Sequence, residues 1–207
     1  YRLLAGASKK NIEKKLNKKT NFLIIKKKFP SIKFVFFFLK VILLGKVFSS
    51  KEYASQIKGG HNYHTLRISS KPLGADVDKV DMLLALDSVT VEKHTSYVVD
   101  GGMILYNDSI EIKDTKSTVT YVPLPITTIQ QTLNEKNIAN TVFVGAAIKS
   151  LNIEYDVLKS VMADIFNHKL QLLDILANAA HTGYDSMEKG VGIGLSAGEK
   201  SSLEFYN

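Results

Sequence analysis

Residues 81–106 read DMLLALDSVTVEKHTSYVVDGGMILY, and this stretch decides the fold. Its opening, 81–87, is a short apolar run closed by Asp87, the pattern of a strand buried on both faces of a parallel sheet. A short helix is expected through 89–97. The pair Gly101-Gly102 reads as a turn. Residues 103–106 (MILY) then form a second buried strand. Beyond them, 121–126 (YVPLPI) is extended, because Pro123 and Pro125 exclude helix and favour a sheet edge. Strand, helix, strand and strand in that order predict an α/β fold: a central, largely parallel sheet flanked by helices in a three-layer sandwich.

The periodicity changes downstream. Residues 140–151 carry VFVGAAIKSL, whose small residues permit close packing. In 155–166 (YDVLKSVMADIF) the apolar positions 157, 158, 161, 162 and 165 form a helical stripe. Residues 168–180 repeat that spacing, and Thr182-Gly183 reads as the end of the helix. Residues 184–207 are rich in Gly and Ser and read as a linker or tail. Upstream, 63–69 (YHTLRIS) alternates like a strand. Residues 21–25 (NFLII) and 47–49 read as further short strands, while 25–46 has mixed periodicity. The division expected is a basic, loosely ordered leader over 1–20, one domain over 21–183 with 25–46 atypical, and the tail.

Charge is unevenly spread. Residues 1–50 carry 13 Lys/Arg and one acid, net +12, whereas 51–207 carry 14 Lys/Arg and 19 Asp/Glu, net −5. The basic quarter lacks the stripe or aromatic interleaving of a nucleic-acid surface, so no nucleic-acid partner is expected. The apolar run 34–44 (FVFFFLKVILL) is shorter than the ~20 residues a bilayer needs, and Lys40 interrupts it. No small-residue cleavage site follows it. A cytoplasmic protein without a membrane partner is expected. The chain has no cysteine, which excludes disulfides and thiolate-held iron–sulfur clusters.

Motif-like stretches weaken on inspection. Residues 194–201 (GLSAGEKS) nearly spell a phosphate-binding loop, but Glu199 would stand beside the phosphates, and neither the preceding strand nor room for the following helix is present. His61 and His64 would point to opposite faces of a strand, a poor arrangement for one metal. Asp76, Asp78 and Asp81 have calcium-like spacing without the glycine or distal glutamate of that loop. No metal site and no catalytic residue is expected. The most informative stretch is 51–69 (KEYASQIKGGHNYHTLRIS). Here Gly59-Gly60 permit close backbone approach and Lys58 offers a cation for phosphate or carboxylate.

That stretch resembles the signature of the gamma domain of the 2-oxoacid:ferredoxin oxidoreductases. The matching residues are Glu52-Tyr53, Lys58, Gly59-Gly60, His61-Asn62 and Leu66-Arg67-Ile68-Ser69. Residues 81–87 and 101–106 are similar to two further strands of that family, and the order agrees across 47–183. The resemblance implies an accessory gamma component, inactive alone, of a complex that decarboxylates a 2-oxoacid oxidatively to acyl-coenzyme A. It implies alpha and beta partner subunits, ferredoxin as acceptor, and thiamine diphosphate and iron–sulfur clusters held by the partners. It assigns Lys58, Gly59, Gly60 and Asn62 to the coenzyme A approach, and it reads the tail as the start of a linker to an alpha domain. The family opens with a glycine-rich loop, whereas 25–46 offers no glycine before Gly45. A phosphate cradle is therefore not expected there. A membrane-associated module and an inactive truncated remnant are the alternatives.

Overall fold

The computed structural model describes residues 20–26, 46–52, 62–69, 78–166, 169–188 and 192. The leader, most of 25–46 and most of the tail lie outside the described residues. The strands are β1 (Thr20–Lys26), β2 (Lys46–Glu52), β3 (Asn62–Ser69), β4 (Val80–Ala85), β5 (Val98–Asn107) and β6 (Thr120–Leu124). The helices are α1 (Ser88–His94), α2 (Ile126–Thr132), α3 (Ala139–Ser150), α4 (Tyr155–Phe166) and α5 (Leu170–Asp185). One six-stranded sheet runs in the order β2-β3-β1-β4-β5-β6. Pairs β1–β4, β4–β5 and β5–β6 are parallel, and β3 lies antiparallel to both β1 and β2. Five strands therefore share one direction and β3 opposes them, so the sheet is largely parallel, as expected.

Alternation along the strands feeds two cores. Met82, Leu84, Met103, Leu105 and Leu124 pack against α2–α5 on one face. Val80, Leu83, Ala85, Val98 and Ile104 meet Val91 of α1 and Val119 on the other. Each such Val, Leu, Ile or Met side chain contributes roughly 1.5–3 kcal/mol when fully buried. β6 forms one edge of the sheet, with Pro123 exposed, where the two prolines placed it.

Two glycine readings change. Gly101-Gly102 is no turn but lies inside β5. Pairing passes from Val80↔Val98 directly to Met82↔Met103, a bulge that absorbs the extra residues of β5. Gly101 takes φ 77° there, and its N–H donates to the Thr118 carbonyl at 2.7 Å. Gly183 does not end the last helix, which continues to Asp185. A Cβ on Gly183 would land on the Val142 carbonyl oxygen, and one on Gly145 on that of Ala180. The glycines thus let α3 and α5 cross backbone to backbone. Tyr155 donates to the Ala177 carbonyl at 2.8 Å, Tyr184 to that of Ile153 at 3.1 Å, and Lys149 Nζ sits 4.3 Å over the Tyr184 ring. Burial raises the pKa of both phenols, which keeps them protonated as donors.

The loop before β6 is tied to β5 by Asp100. Its Oδ1 meets Lys116 Nζ at 2.8 Å and accepts from Thr118 Oγ1 at 2.6 Å. The hydrogen bond from Lys116, then that from Thr118, lowers the Asp100 pKa below its ordinary value of 3.8. A depressed carboxylate favours the fold above the unfolded value, and that contribution is lost as pH falls through the folded one. Asp100→Asn should therefore flatten the acid limb of stability below about pH 4. Urea melts of both proteins between pH 6 and pH 2.5 check this, and parallel acid limbs would contradict it.

Candidate functional site

The strand directions define the site. The carboxyl ends of β1, β2, β4, β5 and β6 share one edge of the sheet, and β3 begins there. The register places Glu52, Tyr63, Ile25, Ala85, Tyr106 and Pro123 in one row just inside this edge. After β1 the chain proceeds to β2 on one side, and after β4 it proceeds to β5 on the other. The gap between β1 and β4 is thus the topological switch point, where α/β sheets open a crevice for ligands.

Asn62 opens β3 opposite Lys26, at this edge. Lys58, Gly59 and Gly60 lie outside the described residues, in the connection that joins Glu52 to Asn62. Both ends of that connection stand at the carboxyl edge. His61 also lies outside the described residues. His64 sits within β3, where Ile24 and Lys51 flank it.

Across the switch point, the sequence after β4 builds a polar corner. Asp87 caps α1, its Oδ1 accepting from the Thr90 N–H at 2.8 Å. Thr90 is 0% exposed. Asp87 Oδ2 and Thr90 Oγ1 are buried and have no hydrogen-bond partner among the described residues. An unmet buried acceptor or hydroxyl costs about 1–3 kcal/mol, so two in one turn call for a purpose. Sequence reading treated Asp87 only as the end of a strand. The D-x-x-T spacing signals a helix cap, but not the spare oxygen atoms behind it.

His94 is buried at 6% exposure and meets Tyr63 edge-on at 4.8 Å between ring centroids, with Tyr97 at 5.7 Å. Asn107 Oδ1 accepts from the Ser109 N–H at 3.1 Å and turns the chain away from β5. Asp78 is exposed at the opposite edge, where β4 begins. His181 pairs with Asp185 at 2.8 Å on α5, far along the chain from this corner. Among the described residues no group of three or more His, Cys, Asp or Glu could hold a metal ion. Among them, too, no helix is long and apolar enough to cross a membrane.

Comparison with known proteins adds the context. The family model described as pyruvate ferredoxin/flavodoxin oxidoreductase matches residues 41–186. A 2-oxoacid:ferredoxin oxidoreductase subunit alpha from Sulfolobus sp is 28% identical over 138 residues, 64% of this chain and 22% of the relative. The chain therefore spans about a fifth of the length of that relative. The 2-oxoglutarate:ferredoxin oxidoreductase of Magnetococcus marinus, solved with 2-oxoglutarate, coenzyme A and succinyl-CoA bound, shares the fold. The TM-score is 0.77 at 20% identity, over 88% of this chain and 34% of that one. The gamma subunit of a keto/oxoacid ferredoxin oxidoreductase from Geobacter sulfurreducens superposes with TM-score 0.70 at 15% identity, covering 82% of this chain and 96% of that subunit.

Proposed function

Because this chain belongs to the pyruvate ferredoxin/flavodoxin oxidoreductase family, we propose that it is the accessory gamma component of a 2-oxoacid:acceptor oxidoreductase. In that role it supports the oxidative decarboxylation of a 2-oxoacid to acyl-coenzyme A. The observation that carries this reading is the family match over 41–186, which takes in the sheet from β2 onward and every helix among the described residues. Near-complete coverage of a solved gamma subunit supports the gamma assignment.

The work divides by chemistry. With no cysteine, the chain offers no thiolate for an iron–sulfur cluster, so clusters fall to partner subunits. Thiamine diphosphate, which stabilises the carbanion left by decarboxylation, is likewise assigned to the alpha and beta partners. Ferredoxin receives the electrons, and the complex works in the cytoplasm. What this chain contributes is a surface for the acyl acceptor. Lys58, Gly59, Gly60 and Asn62 would guide coenzyme A, the lysine by charge and the glycines by exposing backbone amides to phosphate. The position of Asn62 at the carboxyl edge supports that placement.

The test is reconstitution. Alpha and beta partners assayed for coenzyme A-dependent, 2-oxoacid-driven ferredoxin reduction should lose at least about tenfold in rate without this chain, ~1.4 kcal/mol of barrier. The chain alone should show no turnover. Equal rates with and without it would overturn the proposal.

A further inference from the structure

We infer that the first turn of α3 is an anion site, one that takes a phosphate group on the free backbone N–H groups of Ala139 and Asn140 and on the Thr141 hydroxyl. The site uses none of the residues proposed to guide coenzyme A and stands or falls apart from that reading. Two independent observations meet there. The first is an open helix end. Ile138 precedes the helix, and no side chain caps it. The Ile138 carbonyl accepts from the Thr141 N–H at 2.8 Å and from the Val142 N–H at 3.1 Å, whereas the N–H groups of Ala139 and Asn140 have no partner among the described residues. The second is a polar side chain left unmatched. Thr141 is 8% exposed, and its hydroxyl makes no hydrogen bond among the described residues. Ser150, on the same helix, does return its hydroxyl to a carbonyl, that of Ala146 at 2.9 Å. Unlike Thr90 Oγ1, the Thr141 hydroxyl is not sealed from the surface.

The chemistry of the turn selects the ligand. Unmet N–H groups and the positive end of the dipole both favour an anion at a helix start. A helical side chain leans toward the N-terminus of its helix, so Thr141 lies over this opening turn. Residues 141–148 are buried throughout, while Ala139 and Asn140 are half-buried. The dipole of α3 is thus poorly screened along its length and emerges where solvent reaches it. Asn140 adds an amide side chain with no bond among the described residues, which can donate. Lys136, exposed in the connection that leads in, has no ion pair among the described residues. Gln130 Nε2 donates to the Lys136 carbonyl and holds that connection in place. One group opposes an anion: the Glu135 carboxylate, whose Oε1 accepts from the Asn137 N–H at 3.1 Å. Two backbone donors, a hydroxyl and an amide in one turn exceed what the two oxygens of a carboxylate require, and they suit the larger acceptor set of a phosphate.

Titration of the full chain with inorganic phosphate, and separately with acetate, followed by amide NMR, tests the site. The Ala139 and Asn140 amide resonances should move with phosphate and saturate together. Asn140→Asp places a fixed carboxylate in the first turn, where it suits the helix. The Tm should therefore hold or rise while phosphate affinity falls at least about tenfold. Thr141→Val keeps the shape of the side chain and should weaken phosphate about fivefold. Glu135→Gln keeps an acceptor for the Asn137 N–H, removes the opposing charge and should strengthen phosphate about threefold. Ala139 and Asn140 amides that stay still at high phosphate would overturn the inference. Equal phosphate affinity in wild type and Asn140→Asp would put the anion on the lysines of residues 1–50 instead, and would overturn it too. Acetate that binds this turn as tightly as phosphate would sink the phosphate assignment. Should Thr141→Val fail to fold, Asn140→Asp still decides the matter.

Discussion

Gly145→Val is expected to destabilise the chain by about 4 kcal/mol or more, leaving little folded protein at 37 °C. The reason is local and steric. A Cβ at this position would land on the Ala180 carbonyl oxygen and come within 2.8 Å of the carbonyl carbon. Neither can move alone, since both belong to the backbone of α5. To admit valine, the two helices must separate along their length and expose Ala146, Ala147, Ala179 and Ala180, all 0% exposed in the fold. Gly101→Ala is the instructive contrast. Gly101 has open space around its missing Cβ but a φ of +77°, so the cost is conformational only, about 1–2 kcal/mol. Urea unfolding of the three proteins reads both values. A Gly145→Val protein within about 1 kcal/mol of wild type would show that α3 and α5 do not touch.

Phe143→Ala is expected to cost about 3–5 kcal/mol. Phe143 is the largest fully buried side chain among the described residues, at 1% exposure, and α3 is enclosed on nearly every side. Removing the ring leaves a cavity that backbone-to-backbone contact with α5 prevents from closing. Against a typical total of about 5–15 kcal/mol, that loss is a large fraction, and it brings a fold at the low end of the range near its midpoint. Leu170→Ser serves as control: Leu170 is 67% exposed, and the change should stay within about ±0.5 kcal/mol. Chemical melts decide the matter, and equal effects from the two substitutions would contradict the placement of α3 in the core.

What the sequence revealed followed from periodicity. α4 was legible to the residue because its apolar positions repeat at helical spacing and one face is solvated. β4 was legible because a parallel strand buried on both faces is apolar nearly throughout, here in all but Asp81. α3 gave a weaker signal, since a helix buried all round loses its stripe. Gly101 and Gly183 were misread for a common reason. A glycine's local preference is for turns and helix ends, but here each glycine answers to a distant partner, Thr118 in one case and Val142 in the other. No window of sequence contains both members of such a pair.

The site divides in the same way. The residue types around Gly59-Gly60 suit close approach to an anion, but Asn62 was assigned through the family resemblance, and its place at the sheet edge comes only from the strand register. Asp87 could not be singled out as more than a strand end. The spare Oδ2 behind its cap is a consequence of three-dimensional arrangement.

The two margins of the sheet bear on whether another chain can pair with it. β6 presents exposed Pro123, which has no N–H to offer a newcomer. β2, at the other margin, draws three of its seven residues from Lys46, Lys51 and Glu52. Prolines and charges on outer strands discourage a second chain from adding itself by main-chain pairing, the route to fibrils and to strand exchange. A chain that docks on this one is thereby directed to side-chain contact over helices and loops. Interface mapping by crosslinking should accordingly find its crosslinks outside β2 and β6.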